Sequence, residues 1–313
     1  MTPPAVQLRA LEKRYGEITA LAGVDLSVSQ GCFFGLLGPN GAGKTTSVSI
    51  LSTLLRPSAG EARVLGHDVV RERPAVRRAI GIVFQESSLD TELSGRENLD
   101  LHARLYHLDD RAARIDRMLD LVGMRRDADR PVRQLSGGMR RRLEIARGLA
   151  HEPRVLFLDE PSLGLDVPAR RALWGHLEVL RERRDLTLIL TTHSMDEAER
   201  LCDQVAVMNA GGIAASGTPR ELASSVGGDS IEIEFEDPER GASLLRSRPD
   251  VSAVSVDGRS VSLTVESAAT RLPELLDVAR AGGVHAVRMR EANLEDAFLH
   301  YTGHRIDPEG NLD

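Results

Sequence analysis

The chain has 313 residues, enough for more than one domain, with 28% charged and 41% hydrophobic residues and a formal net charge of −7. That balance is ordinary for a globular protein and argues against non-specific nucleic-acid binding, so no nucleic-acid partner is expected. No apolar run approaches the ~20 residues of a membrane span, and Met1-Thr2-Pro3-Pro4 does not open a signal peptide; work at a membrane would need recruitment by a partner. Cys32 and Cys202, far apart in sequence and in apolar surroundings, read as buried reduced thiols without metal-ligand spacing.

Val6-Gln7-Leu8 alternates as an edge strand does, Lys13-Arg14-Tyr15-Gly16 reads as a turn, and Val24–Val28 alternates as a half-buried strand. Tyr15 is either a ring placed to stack on a purine or an exposed turn tyrosine; its position alone leaves both open. The apolar run Cys32–Leu37 reads as a short buried strand and Ser47–Leu51 as the opening of a helix. Between them lies Gly38-Pro39-Asn40-Gly41-Ala42-Gly43-Lys44-Thr45-Thr46. Strand, glycine loop and helix form the context of a phosphate-binding loop. Its glycines let successive backbone N–H groups point inward, and the helix N-terminus adds partial positive charge. Lys44 supplies a compact cation for the β- and γ-phosphates, and Thr45 a hydroxyl for Mg²⁺. The only lysines are Lys13 and Lys44; in an arginine-rich chain, lysine stands where an ammonium must fit between phosphates.

Pro57–Gly60 is a turn, Arg63–Gly66 a strand, and Ile80–Phe84 a buried strand ending at Gln85. Gln85 opens a long, mainly helical stretch to about Ala150, whose core is expected at Leu99, Leu101, Leu105, Ile115, Leu119 and Val122. In Leu135-Ser136-Gly137-Gly138-Met139, Ser136 caps a helix and the glycines expose N–H groups at its positive end; Arg140, Arg141 and Arg142 then read either as a plain solvated face or as a surface that favours anionic ligand charge nearby. Arg154–Glu160 is an apolar strand ending in adjacent carboxylates that alternation sends to opposite faces, Asp159 to hold Mg²⁺ and Glu160 to polarise water. Leu186–Thr192 is a buried strand ending at His193, which on its own reads more readily as a satisfied structural histidine. Ala206–Met208 is a further strand before the turn Asn209–Gly212.

Around Gly227-Gly228-Asp229 the pattern changes to strand, helix, strand, strand, helix, strand, as in a small ferredoxin-like α+β domain. A terminal helix, Leu294–Tyr301, carries a stripe of Leu294, Ala297, Phe298 and Tyr301 that must be covered, either by its own domain or by a partner. Pro308–Asp313 reads as frayed.

Gly38–Thr46, Gln85, Leu135–Met139, Val155–Glu160, Leu163-Gly164-Leu165-Asp166 and His193 stand in the order of an ATP-binding cassette (ABC) ATPase, which residues 5–226 resemble. The resemblance implies an α/β P-loop NTPase core in residues 1–226, with a helical subdomain at about 86–150, a C-terminal domain at 229–303 and a tail at 304–313. It implies ATP and Mg²⁺ as ligands, Tyr15 stacked on adenine, Gln85 at Mg²⁺ and the attacking water, and His193 at the γ-phosphate. It also implies that Ser136, Gly137, Gly138 and Asp166 act across a head-to-tail dimer with a second ATPase copy. Met139 departs from the glutamine that usually ends the signature, and a thioether cannot replace the hydrogen bonds of an amide. Leu-Ser-Gly-Gly-Met followed by three arginines, and Asn293–Leu299, are similar to daunorubicin-resistance-type drug exporters. That likeness implies an export ATPase working with an integral-membrane permease at the cytoplasmic face of the cell membrane. The alternative is a soluble ABC ATPase acting on ribosomes or DNA; the paired cassettes or long coiled-coil insertions usual there are missing from the sequence.

Overall fold

The structure is a computed structural model that describes residues 3–182, 185–225, 228–246, 248, 250–265, 267–290, 292–304, 306–307 and 309–312. The chain divides into two units, Met1–Ser216 with Ile306–Asp313, and Gly217–Arg305.

In the first unit, β1 (Val6–Tyr15), β2 (Ile18–Val28) and β3 (Phe33–Leu37) lead to α1 (Lys44–Leu51). Next come β4 (Ala59–Val64), β5 (His67–Asp68), α2 (Arg73–Ala79) and β6 (Ile80–Val83). Three helices follow, α3 (Gly95–Leu105), α4 (Arg111–Leu121) and α5 (Gly137–Leu149). The unit closes with β7 (Val155–Asp159), α6 (Val167–Arg181), β8 (Thr187–Thr192), α7 (Met195–Leu201), β9 (Gln204–Asn209) and β10 (Gly212–Gly217). Strands β10-β9-β3-β8-β7-β6 form one sheet, parallel at the β3–β8, β3–β9, β7–β8 and β6–β7 pairings. Every residue of β3, β7 and β8 is buried, as their unbroken apolar runs require of parallel strands covered on both faces. A second sheet, β2-β1-β4-β5, packs its inner residues Val6, Leu8, Leu11, Leu21 and Val64 into the same core as Phe34, Val48, Ile50 and Phe157.

Several sequence expectations are corrected here. Val6–Leu8 is not an edge strand: β1 lies between β2 and β4 and runs on through the expected turn to Tyr15. The helix after the glycine loop starts at Lys44 rather than Ser47. Gln85 does not open a helix; α3 begins at Gly95 behind a capping box of Ser94 and Glu97. Leu99, Ile115, Leu119 and Val122 are buried, but Leu101 and Leu105 are 49% and 70% exposed. Helical spacing places these two beside the buried stripe, and among the described residues no element covers them.

The second unit holds α8 (Pro219–Ser224), β11 (Asp229–Phe235), α9 (Pro238–Arg246), β12 (Val251–Asp257), β13 (Ser260–Val265), α10 (Ala268–Ala279), β14 (Val284–Arg290) and α11 (Leu294–Thr302). Its antiparallel sheet, β12-β13-β11-β14, has the ferredoxin-like order that the sequence predicts. Ile231, Ile233 and Phe235 alternate into its core against Ala242, Leu245 and Leu275. Gly227 lies outside the described residues. The unit starts at Gly217, because α8 packs with α11 and the Ser225 and Tyr301 hydroxyls meet at 2.7 Å. On α11, Leu294, Ala297 and Phe298 are fully buried, so the apolar stripe is covered.

Candidate active site

The glycine loop connects β3 to α1 at the carboxyl ends of the parallel strands, where α/β sheets open a ligand crevice. At Gly38 a Cβ would lie 2.4 Å from the Met208 carbonyl, and Gly43 turns into α1 at φ +102°, so neither position admits a side chain. No acidic residue occupies the first turn of α1, whose leading N–H groups have no partners within the helix. Residues Pro39–Thr46 line a cleft of about 360 Å³ with Ile18, Gln85, Glu160, Leu163 and Glu309. The buried Lys44 ammonium donates to the carbonyls of Gly38 (2.6 Å) and Pro39 (3.0 Å) and pairs with Glu160 Oε1 at 3.1 Å. Burial lowers its pKa, and Glu160 opposes the shift.

The two carboxylates after β7 have different surroundings. Asp159 Oδ1 accepts from Thr45 Oγ1 at 3.0 Å and Thr191 Oγ1 at 2.5 Å. Glu160 lies just past the strand in the left-handed region, φ +46°. Its N–H donates to the Thr191 carbonyl (3.1 Å) and hydroxyl (3.0 Å). Burial pushes the Glu160 carboxyl up, but His193 and Lys44 together bring it below the usual glutamate range. His193, immediately after β8, places Nδ1 2.9 Å from Glu160 Oε2. Lys44, Thr45, Asp159, Glu160 and His193 therefore form one contiguous set, and Gln85 joins them at the cleft wall.

The remaining sequence candidates lie apart from that set. Tyr15 is 49% exposed at the end of β1, with Lys13 Nζ 5.0 Å from its ring centre, and does not line the cleft. Ser136, Gly137 and Gly138 begin α5, where Ser136 Oγ accepts the Met139 N–H at 3.2 Å. They and Asp166 do not line the cleft of their own chain. Asp166 caps α6 by accepting from the Ala169 N–H at 2.8 Å, and a Cβ on Gly138 would meet Ala169 Cβ at 2.9 Å. The two motifs thus share one surface, on which Ser136, Gly137 and Asp166 are exposed.

Three features were missed in the sequence. Thr191 supports the Asp159 carboxylate and the Glu160 backbone N–H, and nothing in the local pattern marks it. Arg141 belongs to no solvated face: it is 6% exposed and bonded to the chain around Gln85 and Glu160, a site signalled only by Glu144 three residues on. The expected fraying of 308–313 is also corrected for its described part; Pro308 and Asp313 lie outside the described residues. Asn40 donates its N–H to the Gly310 carbonyl at 2.6 Å and its side-chain amide to the Glu309 carbonyl at 3.0 Å. The Asp307 carboxylate gathers the N–H groups of Glu309 and Asn311 and shapes this turn.

A family model described as "ABC transporter" matches residues 21–163, and one described as "ATP-binding protein DrrA1-3-like, C-terminal domain" matches residues 217–302. The chain is 43% identical over 308 residues to the daunorubicin resistance ATP-binding protein DrrA3 of Streptomyces coeruleorubidus, covering 97% of each chain. This chain belongs to the ABC transporter ATP-binding family. The chain is also 38% identical over 304 residues to the Nod factor export ATP-binding protein I of Cupriavidus metallidurans, covering 96% of this chain and 98% of that one. Among solved structures, the dimeric post-hydrolysis cassette MJ0796 bound to ADP and Pi matches with a TM-score of 0.62 and 28% identity, over 68% of this chain and 98% of that one. The protein is accordingly an ATP-binding, ATP-hydrolysing subunit of the ABC type.

Proposed function

We propose that this ATPase powers export of a drug-like or hydrophobic compound through a separate integral-membrane permease, docked at the cytoplasmic face of the cell membrane. The substrate class rests on relatives named for daunorubicin resistance and Nod factor export. Among the described residues no helix is long and apolar enough to cross a membrane, which is why the reading includes a separate permease.

The observation that carries the site assignment is the linked set of Lys44, Thr45, Asp159, Glu160 and His193, of which Lys44, Thr45 and Glu160 line the cleft. Lys44 exchanges Glu160 and its two carbonyls for phosphate oxygens when ATP arrives. Glu160, held ionised beside His193, accepts the proton of the attacking water as general base. His193 is placed to follow the terminal phosphate, and Tyr15 offers a ring for adenine. The oxygens of Thr45, Asp159 and Gln85 suit Mg²⁺, a hard cation with few protein ligands. When bound, Mg²⁺ neutralises phosphate charge. The exposed Ser136, Gly137 and Asp166, with Gly138, complete the site of a second copy in a head-to-tail dimer. The permease is assigned to the groove between β6, α3 and α5, lined by Leu54, Phe84, Tyr106 and His151 and adjoining the exposed Leu101 and Leu105.

The test separates binding from turnover. Lys44→Ala should abolish ATP binding. Glu160→Gln should keep binding and slow phosphate release roughly 10²- to 10⁴-fold, the usual reach of a general base. Equal loss of binding in both variants refutes the division of roles.

A further inference from the structure

The helix α5 carries a buried arginine that the site described so far does not use. The Arg141 guanidinium donates to backbone carbonyls at the ends of two parallel strands. Beyond β7, Nε reaches the Pro161 carbonyl at 2.8 Å, and Nη2 reaches those of Glu160 at 2.9 Å and Asp159 at 3.3 Å. Beyond β6, Nη1 bonds the Phe84 carbonyl and Nη2 lies 3.5 Å from that of Gln85. Nη1 also pairs with Glu144 at 3.0 Å, and both side chains are buried. Glu144 accepts the Ser88 N–H at 3.1 Å, and Arg147, one further step along the same helix face, donates to the Ser88 carbonyl at 2.8 Å. One face of α5 therefore holds the chain at Phe84, Gln85 and Ser88 and the chain turn at Asp159–Pro161.

The turn needs holding. A non-glycine residue in the left-handed region is strained by about 1–3 kcal/mol and persists only where its surroundings over-determine it. Glu160 is such a residue, clamped by Thr191 on its N–H and by Arg141 on its carbonyl. Turning that peptide swings the carboxylate away from Lys44 and His193. Only the planar five-donor fork of arginine reaches both strand ends; lysine keeps the charge but has three donors on one nitrogen.

We propose that Arg141 is a positioning residue for hydrolysis: through the carbonyls of Gln85 and Glu160 it holds both side chains at the cleft and ties their placement to the start of α5. The proposal rests on the reading of Glu160 as the general base. Arg141 touches the backbone behind Gln85 and Glu160 but is not itself among the residues that line the cleft, and it bonds to no residue of the phosphate loop, so its loss affects turnover and spares ATP binding.

Two variants separate geometry from folding. Arg141→Lys keeps a cation beside Glu144. The pair Arg141→Met with Glu144→Gln removes both buried charges together, avoiding an uncompensated carboxylate, and leaves an oxygen for the Ser88 N–H. In both, kcat for ATP should fall about 10- to 100-fold, the scale of a small misplacement of reacting groups. The ATP Kd and KM should stay within about threefold of the parent. Either folded variant turning over within twofold of the parent overturns the proposal, as does a loss in which Kd and KM rise in step with the fall in kcat. Glu160→Gln is assayed alongside: if it hydrolyses ATP at the parent rate, the general-base reading and this proposal fail together. If it is inactive while Arg141→Lys is fully active, only the positioning role fails.

Discussion

His102 stands with Tyr106 and His151 on one wall of the groove beside α3, the Tyr106 and His151 rings stacked 4.1 Å apart. Burial, then the neighbouring His151 and Arg147, lowers its pKa from 6.5 to about 4, and burial lowers that of His151. His151 Nε2 lies 2.8 Å from the Ile80 carbonyl, which requires the proton on that nitrogen. Between pH 6.5 and 4 the unfolded chain holds a proton at residue 102 that the folded chain refuses, so stability falls as pH drops through that window. His102→Gln should flatten this dependence, measured as the urea midpoint at several pH values between 7.5 and 5; an unchanged slope refutes the assignment. Lys44, Asp159 and Glu160 stood out as candidates in the sequence because each sits in a distinctive local pattern, a glycine loop before a helix or an apolar strand ending in two carboxylates. His102, Thr191 and Arg141 were not, because their roles depend on distant chain closing over them, and an arginine run reads the same exposed or buried.

At the scale of elements, α5 joins two assignments: Ser136 at its exposed start and Arg141 on its buried face. Ser136→Arg adds a cation where the reading places the second copy's terminal phosphate. In a Glu160→Gln background it should abolish ATP-induced dimerisation seen by light scattering while monomer ATP binding persists; a normal ATP-dependent dimer rules that contact out. The strands β3, β6, β7 and β8 were readable because apolar runs bounded by polar ends leave few alternatives. The start of α3 was not, although Ser94 and Glu97 spell a capping box, since the stretch after Gln85 contains enough helix-compatible residues to hide the break. Leu101 and Leu105 show a second limit: periodicity finds a helix face, but whether anything covers its margin is tertiary information.

For the whole molecule, the ferredoxin-like order was legible from a change in alternation near residue 228, while the start of the second unit at Gly217 and the return of the chain to the first unit were not. The turn at Asp307–Asn311 occupies the Asn40 N–H and brings Glu309 to the cleft that phosphates would fill. Deleting residues 306–313 should therefore tighten ATP binding about fivefold, the worth of one ~1 kcal/mol hydrogen bond. Gly310→Val should do the same without shortening the chain: Gly310 has φ +90°, and its Cβ would sit 3.0–3.1 Å from the Asn40 side chain and His193. Isothermal titration with ATP checks both, and unchanged affinity in both would show that turn and nucleotide do not compete. The order of synthesis gives the same turn a further consequence. A ribosome adding 5–20 residues per second needs roughly 5–20 s to reach residue 313 after passing residue 216. During that interval the nascent cassette presents a phosphate loop without the Asp307–Asn311 turn beside it, so a new molecule can meet its first nucleotide before the competing segment exists.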